Sequence, residues 1–321
     1  MIKAIDSTIT DKYALYHGDC IDALAGMEPN SVGYSIFSPP FASLYTYSAS
    51  PRDMGNCRGL EEFIEHFGFL VDLLYKVTKP GRLLSFHCML LPTSKTRDGF
   101  IGLQDFRGAL IAAFVARGWI HHSEVVIWKD PVTAMQRTKA LGLLHKQVKK
   151  DSAMSRQGIP DYLITVRKPG DNEEPVSHTG AGDDMPVEMW QRYASPVWVT
   201  VRGEDPDGFG VCRGDEIAGD DSSTVDATDT LQYQSARDND DERHICPLQL
   251  GVVRRAVKLW SNPGDVVLSP FAGIGSEGVV AVQMGRRFVG VELKDSYYRA
   301  ARKNLANAVA SEDQLDMWGQ R

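Results

Sequence analysis

The run Val266-Val267-Leu268-Ser269-Pro270-Phe271-Ala272-Gly273-Ile274-Gly275-Ser276-Glu277-Gly278 reads as a buried strand, a tight glycine turn and the start of a helix. This order limits the chain more than any other feature, because a strand feeding a helix is the building unit of parallel α/β sheets. Glycines let the backbone approach a ligand closely, and the free amides at a helix start favour negative charge. Gly273, Gly275 and Gly278 match the spacing of a dinucleotide fingerprint, and Glu292 ends the next strand, where a carboxylate accepts hydrogen bonds from ribose hydroxyls. By itself the turn leaves three readings open: a nicotinamide cofactor, S-adenosylmethionine, or a tight structural turn. Only one further strand, Arg287–Glu292, and one helix, 296–307, follow it. The rest of the sheet is therefore expected from earlier in the chain, which argues against the nicotinamide reading.

The earlier residues supply it. A strand at 13–16 ends at His17-Gly18-Asp19-Cys20, a helix follows at 21–27, and a strand at 31–37 stops at Pro39-Pro40, which cannot continue a ladder. An amphipathic helix, Leu60–Val77, closes at Lys79-Pro80-Gly81; strands at 82–88 and 124–128 flank a helix at 106–117. From about 130 to 242 the alternation fails. This stretch holds a basic segment, a short strand at 162–167 and a Gly/Asp/Ser-rich acidic run at 203–229. Order returns with a helix at 248–260. The expectation is an α/β domain with a mainly parallel sheet, split into 1–129 and 243–310 by an insertion at 130–242, with a tail at 311–321.

Charge follows the same division. The net charge is -7, yet residues 129–168 carry nine Lys or Arg against three Asp, while 171–242 carry nineteen acids against four Arg. One face can thus meet phosphates although the whole chain is acidic. Cys20, Cys57, Cys88, Cys212 and Cys246 are scattered and never in a Cys-x-x-Cys pair, and His121-His122 lacks a companion at ligand spacing. Neither a disulfide framework nor a metal site is expected. With no long apolar run and no signal-like start, the expected location is the cytoplasm. Trp190 and Trp198 sit among apolar residues and are expected in the core.

At the end of the strand 31–37 stands Phe37-Ser38-Pro39-Pro40-Phe41. Ser38-Pro39-Pro40-Phe41 resembles the catalytic motif of DNA amino-methyltransferases, Asp/Asn/Ser-Pro-Pro-Tyr/Phe/Trp, and Phe271-Ala272-Gly273-Ile274-Gly275 resembles their cofactor motif Phe-x-Gly-x-Gly. The catalytic motif comes first, an order similar to the permuted β class, whose target recognition region lies between the two. His17-Gly18-Asp19-Cys20 resembles the segment that touches the cofactor adenine, and Arg243-His244-Ile245-Cys246-Pro247-Leu248-Gln249 resembles the region along its methionine end. The resemblance covers roughly 10–130 and 240–310. Two departures are Ser269, where many members have Asp, and Cys246-Pro247-Leu248-Gln249, which replaces a common Lys-Pro ending.

The resemblance implies a Rossmann-like methyltransferase fold, circularly permuted, that binds S-adenosylmethionine through Asp19, Cys20, His244, Pro247, Phe271, Gly273, Gly275 and Glu292. It implies methylation of an exocyclic base amine in duplex DNA by Ser38, Pro39, Pro40 and Phe41, after base flipping. Serine at the first motif position goes mostly with cytosine N4 and aspartate with adenine N6, so N4 is favoured and N6 stays open. Arg137, Lys139, Lys146, Lys149, Lys150 and Arg156 are candidate phosphate contacts, and 45–58, with Tyr45, Tyr47, Arg52 and Asp53, is a candidate loop around the base. Gln314-Leu315-Asp316-Met317-Trp318 resembles the short motif with which bacterial proteins bind the replication sliding clamp; a plain terminus is the alternative. Two rivals from other classes are a non-catalytic DNA-binding protein that keeps the cofactor turn and a nicotinamide-dependent oxidoreductase.

Overall fold

Apolar residues at helical spacing on α-helices and runs buried on both sides in strands set the layers of this molecule. The structure, a computed structural model, describes residues 2–41, 52–132, 135, 141–178, 185–201, 224–226, 229–232 and 248–317. Strand β1 (Asp6–Ile9) pairs with β2 (Tyr13–His17), which leads to helix α1 (Cys20–Ala25) and β3 (Val32–Phe37). Helix α2 (Leu60–Val77) feeds the long strand β4 (Thr78–Met89). A small hairpin of β5 (Leu91–Pro92) and β6 (Leu103–Gln104) encloses a one-turn helix α3 (Lys95–Asp98), and α4 (Phe106–Val115) and β7 (Ile120–Trp128) follow. Next come α5 (His145–Lys150), β8 (Asp161–Arg167), α6 (Val187–Tyr193), β9 (Val197–Val201) and β10 (Thr224–Asp226). The last elements are α7 (Leu250–Trp260), β11 (Val266–Ser269), α8 (Ser276–Gln283), β12 (Arg287–Glu292) and α9 (Asp295–Met317).

Ten strands form one sheet in the order β1-β2-β12-β11-β3-β4-β8-β7-β9-β10. Five neighbours, β2, β12, β11, β3 and β4, run parallel, whereas β8 is antiparallel to both β4 and β7. The two ends of the chain therefore build the centre together: Val267 pairs with Tyr34 and Leu268 with Ser35, while Glu292 pairs with His17. Parallel neighbours put their carboxyl ends on one edge, so the segments after β2, β3, β4, β11 and β12 all emerge there.

Helices cover both faces. On α2, Phe63, Phe67, Leu70, Leu74 and Val77 recur every three or four residues and are fully buried beneath the sheet together with Phe106, Leu110 and Phe114 of α4. The opposite face is covered by Val252, Val253, Ala256 and Val257 of α7, with α8 and α9 beside it. Strand β3 is buried throughout, with Tyr34 and Ile36 turned to the α7 layer and Val32 and Phe37 to the α2 layer, as a central parallel strand requires.

A buried ion pair locks the two chain ends together. Arg82 of β4, 1% exposed, pairs with Asp265 just before β11 and also donates to the carbonyls of Gly33 at 2.9 Å and Glu174 at 2.7 Å. Gly33 has to be glycine for this approach, since a Cβ there would sit 2.8 Å from the Asp265 carboxyl carbon.

Two expectations are corrected. Strand β8 falls inside the stretch 130–242 read as an insertion, yet it is an inner strand of the main sheet, with Leu163, Ile164 and Val166 fully buried. The long strand β4 needs a partner along most of its length, and β8 pairs with it from Leu83 opposite Arg167 to Met89 opposite Asp161. Trp198 is in the core, 1% exposed, but Trp190 is 54% exposed on α6. Among the described residues no helix is long and apolar enough to cross a membrane.

Candidate active site

The glycine turn after β11 makes a cradle with an open side. Gly273 and Gly275 adopt φ of 52° and 91°, values that L side chains rarely take, and Gly275 caps the start of α8. They do different work. A Cβ on Gly273 would meet nothing within 4 Å, so this glycine faces the open edge, whereas a Cβ on Gly275 would press on Ala301 of α9 at 3.3 Å. The turn is tied to β12 by the Ala272 amide donating to the Val291 carbonyl at 2.8 Å, and by the Gly273 amide donating to Glu292 Oε2 at 2.8 Å.

Burial pushes the Glu292 carboxyl up to about 7, against the pull of the Lys294 and Gly273 amides, and the Asp53 charge adds to the rise. Glu277, in the first turn of α8, is pushed up to about 8 by burial, with the Glu292 charge adding to it. It is therefore neutral at pH 7 and leaves the helix start attractive to an anion.

Asp19 and Cys20 serve this edge from below. Asp19 caps α1, with Oδ1 accepting from the Ile21 and Asp22 amides at 2.8 and 3.2 Å, while the Gly18 amide donates to the Glu292 carbonyl at 2.9 Å. The Cys20 side chain is buried in the core under the sheet, and burial pushes its thiol up. Arg52 reaches back to Asp22 at 2.9 Å and Asp19 at 3.6 Å, and Asp53 caps the following turn through the Gly55 amide at 2.8 Å. Part of the loop expected around the base thus docks on α1; Tyr45 and Tyr47 lie outside the described residues.

The catalytic corner is the next strand over. The rings of Phe37, at the end of β3, and Phe271, after β11, lie 5.9 Å apart, so the two motifs adjoin. Phe41 meets His87 and Phe106 edge-on at 6.4 and 6.2 Å. Ser38 is half-buried and its Oγ lies 3.1 Å from His87 Nδ1. His87 Nε2 lies 2.9 Å from Asp161 Oδ2, the oxygen that also pairs with Lys129. Burial raises the Asp161 carboxyl, but His87 and Lys129 outweigh it and hold the group below the ordinary carboxylate range. An ionised Asp161 accepts the Nε2 proton of His87, which leaves Nδ1 to accept from the Ser38 hydroxyl and turns a serine lone pair outward. Asp161 is 3% exposed and its Oδ1 has no partner among the described residues.

His87, Asp161 and Lys129 were not singled out from the sequence. One signal was there: in the otherwise apolar run Leu83–Cys88, the polar residues Ser85 and His87 alternate and so share one face. Asp161 had none, because only the antiparallel pairing of β4 with β8 brings it to His87.

The candidate phosphate contacts divide. Lys146, Lys149 and Lys150 are exposed on α5, which buries nothing. Arg156 is half-buried and donates to the Gln157 carbonyl at 3.2 Å. Arg137, Lys139, His244 and Pro247 lie outside the described residues. Residues 314–317 of the clamp-like motif continue α9 and Trp318 lies outside the described residues; nothing in the fold supports clamp binding. Among the described residues no cluster of His, Cys, Asp or Glu is placed to hold a metal ion.

The comparisons agree with this geometry. A family model described as DNA methylase, N6_N4_Mtase, matches residues 34–303. M.BglII, a type II methyltransferase of Bacillus subtilis, is 22% identical over 294 residues, covering 91% of this chain and 68% of its own. DNA adenine methyltransferase YhdJ of Escherichia coli (strain K12) is 38% identical over 64 residues, 20% of this chain. The chain spans only 22% of the length of YhdJ and 31% of another Escherichia coli relative. The DNA modification methylase TTHA0409 of Thermus thermophilus, complexed with S-adenosyl-L-methionine, superposes with a TM-score of 0.62 at 19% identity over 93% of this chain and 96% of that one. The PvuII DNA methyltransferase (cytosine-N4-specific) does so with a TM-score of 0.58 at 15% identity over 92% and 86%.

S-adenosylmethionine is the cofactor that fits: the open side of Gly273 admits it and Glu292 offers acceptor lone pairs to its ribose. Ribose hydroxyls donate to the charged carboxylate, so binding favours ionised Glu292. Cofactor affinity, measured by calorimetry, is therefore expected to fall as pH drops below about 7, approaching about tenfold per unit, and Glu292→Gln should flatten the dependence. With the family match spanning residues 34–303 and both motifs placed on one edge, the chain belongs to this family of DNA methylases.

Proposed function

We propose that the protein transfers a methyl group to the exocyclic N4 amine of a cytosine flipped out of duplex DNA. One observation carries the choice of base, the chain of contacts Ser38, His87, Asp161. A cytosine amine is a poor nucleophile because its lone pair is delocalised into the ring. The bound cofactor supplies an electrophilic methyl; the protein has to localise that lone pair. Ser38 Oγ and the Pro39 carbonyl accept the two N–H groups, which favours a pyramidal nitrogen, and such placement contributes several kcal/mol. Pro40 has no amide hydrogen to compete for these acceptors. Phe41 stacks on the base, a contact worth about 1–3 kcal/mol.

As the nitrogen takes on a fourth bond it becomes cationic and sheds a proton. A neutral serine is a weak base, but with His87 behind it the proton passes from the amine to Ser38 Oγ while the serine proton moves to His87 Nδ1, where Asp161 stabilises the imidazolium. Serine with its own histidine base fits the cytosine reading that the motif favours, which is also the specificity that the PvuII enzyme carries in its name.

The motif order, catalytic before cofactor, makes the chain a permuted member of its family. The target recognition region is assigned to 130–160 and 169–242, on either side of β8, with Lys146, Lys149, Lys150 and Arg156 toward phosphates. Digesting DNA from cells that express the protein should yield N4-methylcytosine. N6-methyladenine alone would replace this reading with the one YhdJ is named for.

A further inference from the structure

The hairpin between β4 and α4 is unusual in what it displays. Phe100, Ile101 and Leu103 are 57%, 62% and 43% exposed, three large apolar side chains within four residues. Scattered surface apolar residues are ordinary, but a cluster on an ordered tip marks a contact surface. The tip is ordered. Leu91 pairs with Gln104 and Pro92 with Leu103, the Thr93 amide donates to the Gly102 carbonyl at 3.0 Å, and the Ser94 amide donates to Asp98 Oδ2 at 2.6 Å. Gly99, at φ 79°, ends α3 and turns the chain into Phe100.

Its position follows from the fold. Strand β4 ends at Met89 on the edge that carries Ser38, with His87 touching the catalytic corner two residues earlier. The root of the hairpin is buried in the same cluster: Leu91 and Phe106 lie in the core under Phe41, whose ring is 6.2 Å from that of Phe106. Beside the apolar tip stands exposed Lys95, and Arg97 is on the same turn, while the nearby Asp98 carboxylate is engaged by the Ser94 amide.

We infer that the Phe100-Ile101 tip is a wedge that enters the DNA duplex at the target step and fills the space the extruded base leaves. The occupant is duplex DNA because the tip shares an edge with the base pocket and is flanked by cations that suit phosphates. Flipping costs a few kcal/mol of unstacking, and apolar side chains inserted between base steps offset that cost. This inference rests on the reading of the protein as a base-flipping DNA methyltransferase.

The test compares wild type with a Phe100→Ala/Ile101→Ala double variant on three substrates. These are a duplex carrying the site found modified in expressing cells, the same duplex with an abasic position opposite the target, and the single strand. A wedge predicts loss of tenfold or more on the intact duplex with little change on the other two, and a smaller rise of 2-aminopurine fluorescence at the target position. Phe100→Trp should restore the duplex rate. Equal losses on all three substrates would overturn the wedge, as would no loss on any of them or a change confined to self-association. If wild type modifies none of the three substrates, the methyltransferase reading itself fails, a result distinct from all of these. Thermal unfolding and cofactor affinity of the double variant should match wild type.

Discussion

Replacing His87 with Asn is expected to lower kcat about 100-fold or more, with the affinity for S-adenosylmethionine unchanged. His87 touches neither the turn at Gly273 nor Glu292; it meets Ser38 on one side and Asp161 on the other. Without the imidazole, Ser38 loses the acceptor that orients its hydroxyl and receives its proton. Cofactor affinity and KM for DNA are set elsewhere, so the loss should fall on kcat, which separates a positioning role from a structural one. Asp161→Asn should act in the same direction, because an amide no longer fixes the His87 tautomer. Single-turnover rates, with cofactor titrations and unfolding curves on the same samples, check both variants.

Asp265→Ala should destabilise the fold by about 3–5 kcal/mol, the usual consequence of leaving one member of a buried pair without its partner. Arg82 would keep its contacts to the Gly33 and Glu174 carbonyls but carry an uncompensated charge at 1% exposure. The Asn262 amide, which donates to Asp265 Oδ2 at 2.7 Å, would lose its acceptor too. This pair joins β4 to the approach of β11, so its loss loosens the seam between the two chain ends on which the active edge is built. Urea unfolding measures the effect. An Arg82→Met/Asp265→Leu double variant should recover much of the stability, since removing both charges removes the penalty.

The sequence was most legible where local chemistry and topology coincide. The proline pair, the glycine turn and Glu292 could be placed on one edge because alternating strands and helices leave few ways to order a parallel sheet. It was least legible where antiparallel pairing decides. Nothing local distinguishes β8 from a strand of an inserted domain, yet its pairing with β4 carries Asp161 to His87 across 74 positions of sequence. Trp190 illustrates a second limit, for an aromatic among apolar neighbours reads as core although α6 leaves it at the surface. The glycines show a third: Gly273 and Gly275 look equivalent in the motif, but only the first faces the open side of the turn.

The most direct measurement follows a labelled methyl group from S-adenosylmethionine into duplex DNA in a single turnover, for wild type and Ser38→Ala. The account predicts label on N4 of cytosine with wild type, and transfer at least about 100-fold slower with the variant at equal cofactor affinity. Label on adenine N6, or a Ser38→Ala rate equal to wild type, would contradict it.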